Sequence, residues 1–417
     1  MHRPTLCAGA LAALAFCAAA RATTPIEILF VGDSYTFGRV DPVMSYNAAN
    51  VHDLTAAFNA VDSSGTNAFE PHPWGGVPGV FKEFTDEAGL DYDVSISARN
   101  AASLRGQFLD TANSTWDLRG NVASQKWNVV VLQDQSDVSL PADKGKNANN
   151  AQFQAYVNQF VQFIHTGAAQ TYTETQLYGS LSKCEATGLS KTSCNLSRVI
   201  PANTNASPGT KVYLTETWAR PDMVFPHLVT TPDPASPSGE PIVDTSSAGG
   251  QATLYYTSLG AMTDDLHAAF QAEANANPGI AGVIPVGDAF QLGVDQGSVQ
   301  SSGFFDANGV FIPPRPGEPL DLWWDDDLHA SKYGSYLDAL VQFGTITGLD
   351  PLSLGANESA AQSLGIASTD AVFLERLAAE DLGMSLAPVP EPGGVASMAA
   401  GLALLAWIAR PRRASRR

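Results

Sequence analysis

The stretch "IEILFVGDSYTFGRVDP", residues 26–42, is an apolar run that stops at Gly-Asp-Ser and turns polar at once. Ile26, Ile28, Leu29, Phe30 and Val31 predict a strand buried on both faces, as strands of a parallel sheet are. Short apolar runs at 92–96, 127–132, 211–215 and 282–285 predict four more strands. Between them, apolar residues recur at helical spacing over 78–89, 150–166 and 252–277. Strands alternating with helices imply an α/β fold, a parallel sheet with helices on both faces. Residues 229–250 are rich in Pro, Ser, Gly and Asp and read as a long surface loop or insertion. Residues 351–386 are modestly helical and read as a small cap or spacer. No internal repeat and no transmembrane helix are visible in the body of the chain.

The two ends carry apolar patterns of another kind. Met1-His2-Arg3 leads into an Ala- and Leu-rich stretch over 6–20, followed by Ala20-Arg21-Ala22. This is the pattern of a secretory signal peptide, with cleavage expected after Ala22. The apolar run is short of the ~20 residues that a spanning helix needs. At the other end, Val389-Pro390-Glu391-Pro392 breaks any helix, residues 393–409 are apolar without a charge, and Arg410, Arg412, Arg413, Arg416 and Arg417 follow. That basic tail would stay on the cytoplasmic side of a membrane. The three parts in this order resemble the PEP-CTERM sorting signal of Gram-negative bacteria that make exopolysaccharide. The resemblance implies transient anchoring in the inner membrane and processing by exosortase-type sorting machinery. The mature chain would then rest in the periplasm, on the outer surface or in the extracellular matrix.

Charge narrows the partners. Without both end segments, 16 of the 23 basic residues and all 42 acidic ones remain, a net charge near −26. Nucleic acid is excluded as a partner, because phosphate binding needs clustered Lys and Arg. Of the four cysteines, Cys7 and Cys17 fall in the signal peptide. Cys184 and Cys194 are expected to pair in an oxidising compartment, closing a local loop. They lack the further ligands a zinc site would need.

Candidate chemistry lies at the two ends of the α/β body. Ser34 would stand at the carboxyl end of the first strand, where open α/β sheets place their ligands. Gly32 would supply backbone freedom for the turn, and a plain alternative has Asp33 and Ser34 merely capping the next segment. Far along the chain, "DLWWDDDLHASKYGSYLDALVQF" places Asp326 three residues before His329 and then runs on as an amphipathic helix. Ser, His and Asp are the set that nucleophilic acyl transfer needs: a hydroxyl, an imidazole to take its proton, and a carboxylate to orient the imidazole. Asp325 and Asp327 flank Asp326, so residues 325–327 also read as a solvated acidic loop or a calcium site. Trp323 and Trp324 either wall a groove or plug the core, and Trp218 would line the same face. His72 reads as a loop residue and His267 as the solvent face of a helix.

Gly32-Asp33-Ser34 after the first strand, with Asp326-x-x-His329 near the end of the body, resembles the SGNH (GDSL-type) hydrolase superfamily. The resemblance covers residues 26 to 345. It implies a flavodoxin-like three-layer α/β/α sandwich with a central parallel sheet, and ester hydrolysis with Ser34 as nucleophile, His329 as general base and Asp326 as its orienting partner. The family stabilises the oxyanion with a Gly N–H after its second strand and an Asn side chain after its third. Here those turns read "SARNAASLRG" and "VVVLQDQSD". By carry-over, the Ser34 N–H, an N–H at Ala102 and the Gln135 amide would form the oxyanion hole. Asp33, Asn100, Gln133 and Trp324 are expected nearby as substrate-binding residues. The expected organisation is a signal peptide over 1–22, an SGNH hydrolase-like domain over 23–350, a spacer over 351–387 and the sorting signal over 388–417. The expected substrate is an O-acylated carbohydrate, with no metal and no organic cofactor. An exopolysaccharide O-acetyltransferase, or a non-catalytic carbohydrate-binding protein on the same shell, remains open at this stage.

Overall fold

The structure, a computed structural model, describes residues 24–58, 69–110, 117–245, 250–315 and 317–384. The end segments 1–22 and 388–417 lie outside the described residues. Among the described residues, no helix is long and apolar enough to cross a membrane.

Among the described residues ten strands follow in chain order: β1 (Ile26–Gly32), β2 (His52–Asp53), β3 (Tyr92–Ala98), β4 (Val129–Leu132), β5 (Gln170–Thr173), β6 (Ser197–Ile200), β7 (Lys211–Thr215), β8 (Thr230–Pro232), β9 (Pro241–Val243) and β10 (Ile280–Ile284). Six form one sheet in the order β10-β7-β4-β1-β3-β2, with every pair parallel. Apart from the two-residue edge β2, this is the doubly wound order of a flavodoxin-like sheet. The winding reverses at β1, which pairs with β3 on one side and β4 on the other. The carboxyl end of β1 is therefore the topological switch point, and Ser34 sits just beyond it.

The pattern inside β1 shows why the sheet needs two covering layers. Ile28 and Phe30 point into a core shared with Phe81 and Phe84 of helix Gly76–Glu87 and with Tyr336, Leu340 and Phe343 of helix Lys332–Thr347. Leu29 and Val31 point the other way, toward Phe108 and toward Phe160 and Phe163 of helix Asn150–His165. Side chains alternate faces along a strand, so an unbroken apolar run buries both.

All five expected strand runs are strands of this sheet. The helix expected over 252–277 begins later, at Leu259, because the Ser258 side chain accepts the Ala261 N–H and caps it there. The loop expected over 229–250 contains a small antiparallel hairpin, β8 with β9. A second hairpin, β5 with β6, carries three short helices between its strands, and a disulfide joins Cys184 to Cys194 in the last two of them. The segment read as a spacer is different in kind. Helix Ser368–Asp381 buries Ala371, Leu374, Leu377 and Ala378 in the core that helix Lys332–Thr347 also lines. Its apolar stripe is continuous with that of the α/β body, so residues 351–384 complete the body rather than hang from it.

Candidate active site

Glycine at position 32 is required by space. Gly32 has no positive φ, so the expected backbone freedom is not what the turn uses. A Cβ there would lie 1.9 Å from Thr36 Oγ1 and 2.5 Å from Gln133 Oε1. That close approach brings the end of β4 onto the turn after β1. Gln133 Oε1 accepts the Asp33 N–H at 2.8 Å and the Thr36 hydroxyl at 3.0 Å. Asp33 Oδ1 in turn accepts the Tyr35 N–H at 3.0 Å and caps the short helix Ser34–Phe37. Asp33 and Gln133 are both 2% exposed, so neither reaches substrate, contrary to the sequence expectation. The capping alternative holds for Asp33. It does not hold for Ser34, whose hydroxyl has another partner.

That partner arrives on a tight loop. The Trp324 N–H donates to the His329 carbonyl at 2.8 Å, and the Asp327 N–H to the Trp324 carbonyl at 2.7 Å. Asp327 closes the turn in the left-handed region, φ 54°. Inside it, Asp326 Oδ1 accepts the backbone N–H groups of Leu328 (3.1 Å) and His329 (2.9 Å). Asp326 Oδ2 lies 2.6 Å from His329 Nδ1, and His329 Nε2 lies 2.8 Å from Ser34 Oγ. With Nδ1–H turned to the carboxylate, Nε2 is the acceptor that faces the serine. Helix Lys332–Thr347 starts only after this turn, capped by Ser331. The i, i+3 spacing of Asp326 and His329 thus works in a loop.

Aromatic residues hold the loop against the serine turn. The Leu328 carbonyl accepts two hydrogen bonds, from Tyr35 OH at 2.8 Å and from Trp218 Nε1 at 3.1 Å. Tyr35 and Trp218 stack at 4.0 Å between centroids, and Trp218 stacks on Phe290. Tyr35 also presents its ring to His329 edge to face at 5.7 Å. Trp218 is 1% exposed, so it supports the site from below instead of lining it. Trp323 is likewise buried and donates its Nε1–H to the Ala219 carbonyl, while Trp324 lines the cleft.

Burial and neighbouring charge set the protonation states. Burial is the largest influence on His329 and lowers its pKa below 6.5; Asp326 opposes this, while Arg39 and Arg220 act with it. The imidazole is therefore neutral near pH 7 and free to take a proton. Burial works to raise Asp326, but the His329 imidazole, the His329 N–H and Arg39 together hold it below the ordinary carboxylate value. Asp327 is pushed up to about 10 by burial and by Asp321, Asp326, Asp222 and Asp325. It is fully buried and neither of its carboxyl oxygens has a partner among the described residues, so the acidic run contributes one carboxylate that holds His329 and one neutral acid.

A cleft of about 500 Å³ opens beside His329 and Asp326. Arg39, Asn100, Lys146, Arg220, Asp222 and Trp324 are among the residues that line it. Arg39 pairs with buried Glu70, and its guanidinium stands 5.8 Å from the Trp324 ring centre. Arg220 pairs with Asp222 at 2.6 Å and reaches Ser136 Oγ at 3.0 Å. Neither arginine carries a spacing signal in the sequence: Arg39 is held by Glu70, 31 positions on, and Arg220 by Asp222 next to it and by Ser136, 84 positions back.

The expected oxyanion donors divide. The Ser34 N–H donates to no other described residue. The Ala102 N–H is engaged, donating to the Arg99 carbonyl at 3.2 Å in a turn where Ala101 is left-handed, φ 53°. That corrects the expectation for Ala102. The cleft-lining group from the same turn is the Asn100 side chain. After β4, Asp134 Oδ1 accepts the N–H groups of Leu104 and Gln135, both at 2.8 Å, tying the two turns together. The Gln135 side chain makes no hydrogen bond within the described residues and stays available.

No family model and no curated protein matches the chain. Solved structures similar to it include a DUF4886 family protein from Bacteroides uniformis, at 12% identity over 88% of this chain and 99% of that one, TM-score 0.40. The inhibitor-bound aryl esterase of M. smegmatis is 12% identical over 78% of this chain and 99% of its own, TM-score 0.30. A carbohydrate acetylesterase from Sinorhizobium meliloti is 13% identical over 78% and 99%, TM-score 0.28.

Proposed function

We propose that this chain is a serine esterase of the SGNH type that hydrolyses O-acyl esters, above all O-acetyl esters, on polysaccharide. The observation that carries the reading is the line from Ser34 Oγ to His329 Nε2 at 2.8 Å and from His329 Nδ1 to Asp326 at 2.6 Å. Ser34 would give its proton to neutral His329 as Oγ bonds to the ester carbonyl carbon. The imidazolium so formed is stabilised by Asp326. The Ser34 N–H, with the side-chain amides of Asn100 and Gln135, would receive the oxyanion, where fixed donors act most strongly. Collapse expels the alcohol, which takes the proton from His329. Water, activated by the same imidazole, then attacks the acyl-enzyme and frees Ser34.

The chemistry of the cleft supports a sugar ester over a lipid ester. Sites for apolar ligands are lined mainly by apolar side chains. Here two arginines, a lysine, three carboxylates and an asparagine line the cleft with Trp324, beside apolar residues such as Met223, Val229 and Leu328. A hydroxyl-rich substrate matches those groups, and an indole face suits the flat side of a sugar ring. On this reading the protein works outside the inner membrane after export and sorting of its two end segments, on acylated exopolysaccharide. The test is acetate release from an O-acetylated polysaccharide, with and without a deacetylated acceptor sugar. Stoichiometric free acetate in both cases supports a hydrolase. Acetyl transfer to the acceptor would replace it with a transferase on the same residues.

A further inference from the structure

We propose that Glu216, His267 and Asp288 form a binding site for a divalent transition metal ion, with Zn²⁺ the ion their mixed nitrogen and oxygen donors suit best. One ligand atom from each lies within 4.8 Å of the others. His267 Nδ1 stands 2.7 Å from Asp288 Oδ2 and 3.6 Å from Glu216 Oε2. The three come from three elements: the residue after β7, helix Leu259–Ala276 and helix Val286–Asp295. No motif spacing reveals such a set, which is why the sequence led to no metal.

The second, independent observation is the state of Glu216. It is 0% exposed, neither carboxyl oxygen makes a hydrogen bond of normal geometry among the described residues, and the carboxyl lies against the backbone and carboxyl of Asp288. Its Oε1 lies where a Cβ on Gly287 would come within 2.9 Å, so the glycine leaves the carboxylate room beside the start of helix Val286–Asp295. Asp381, at the end of helix Ser368–Asp381, also has a buried, unpartnered Oδ2 and is near enough to act on Glu216 electrostatically. Among the described residues, no Lys or Arg forms an ion pair with Glu216, Asp288 or Asp381. Buried carboxylates are costly unless paired or bound to a cation. Among the described residues His267 is the one basic side chain paired with these carboxylates, and it is 47% exposed, which gives an ion a path from solvent.

Imidazole and carboxylate together favour zinc among the common divalent ions; an all-oxygen set would favour calcium or magnesium. The bound ion would tie the carboxyl end of β7 to two helices, next to Thr217 and Trp218. Thr217 donates to the Ser136 carbonyl and Trp218 to the Leu328 carbonyl, so the site braces the wall behind the Ser34 turn.

The experiment uses tag-free protein treated with EDTA and dialysed, titrated with Zn²⁺ in a calorimeter and followed by thermal melting. One equivalent should bind, with a rise in Tm that EDTA reverses. His267→Ala, a change at a half-exposed position, should abolish that binding while the circular dichroism spectrum stays native. Glu216→Gln should weaken it by roughly tenfold or more, since even partners outside the ligand shell cost that much. Co²⁺ in place of Zn²⁺ should give a visible absorption band that His267→Ala removes. No stoichiometric binding by the wild type, or binding unchanged in His267→Ala, would overturn the proposal.

Discussion

Ser34 and His329 are 295 positions apart in the chain and 2.8 Å apart in the fold. The switch point of the sheet supplies one, a tight acidic loop supplies the other, and burial keeps the imidazole neutral. Activity should then depend on pH in a particular direction. The ordinary histidine value is 6.5, and His329 is shifted below it. A lowered value keeps the base form present at lower pH. The acid limb of kcat/KM on p-nitrophenyl acetate should therefore fall below pH 6.5. A limb at or above 6.5 would mean that burial does not lower His329.

Tyr35 acts as a positioning residue through Leu328. Tyr35→Phe keeps the stacking on Trp218 and removes one of two hydrogen bonds to the Leu328 carbonyl. A neutral hydrogen bond is worth about 1 kcal/mol, so kcat should drop several-fold with KM nearly unchanged. Trp218→Phe removes the other donor, and the double variant should lose more kcat than the product of the two effects. A rise in KM with kcat preserved would instead place Tyr35 in substrate binding.

Gly32→Ala should destabilise sharply, because its Cβ would collide with Thr36 and Gln133. Overpacking of this kind costs about 1–3 kcal/mol. Gly106→Ala is the matched control: its Cβ meets only Ser103 Oγ at 3.7 Å within a helix, where alanine is preferred. Thermal melts of the two variants should differ in sign or differ widely in size.

Asp327 gives stability a pH slope. Its carboxyl, pushed up to about 10 by burial, holds a proton in the folded state that the unfolded chain, with an ordinary value of 3.8, releases. Its stabilising contribution is fully present below the unfolded value and is lost as pH rises toward 10. Wild-type Tm should fall between pH 5 and pH 9 more steeply than that of Asp327→Asn, which cannot ionise and tolerates the left-handed φ. Equal slopes would show that Asp327 is already ionised in the fold.

Periodicity made the sheet legible, because β1, β4 and β7 are short apolar runs that bury both faces and have few other interpretations. Asp326 and His329 were legible through local spacing alone. What escaped was whatever depends on side chains meeting across the fold. Gln133 looked like a substrate ligand because it matches a position of the family's motif after the third strand, yet it faces inward as a hub between two turns. Ala102 looked like an oxyanion donor by position, but a left-handed Ala101 turns its N–H to Arg99. Arg39 and Arg220 matter through partners as distant as Glu70 and Ser136, which no window of sequence contains. Helix Ser368–Asp381 read as a spacer because half of its buried stripe is alanine, which carries a weak hydrophobic signal, and Glu375 interrupts it.

The most direct measurement is labelling of the folded protein with a fluorophosphonate probe, beside Ser34→Ala and His329→Ala. An activated serine displaces fluoride and retains the phosphonate on its Oγ. The wild type should label at Ser34, and both variants should lose the label while keeping native circular dichroism. Folded wild type that takes no label, or Ser34→Ala that labels as well as wild type, would contradict Ser34 as the nucleophile and remove the basis for an esterase.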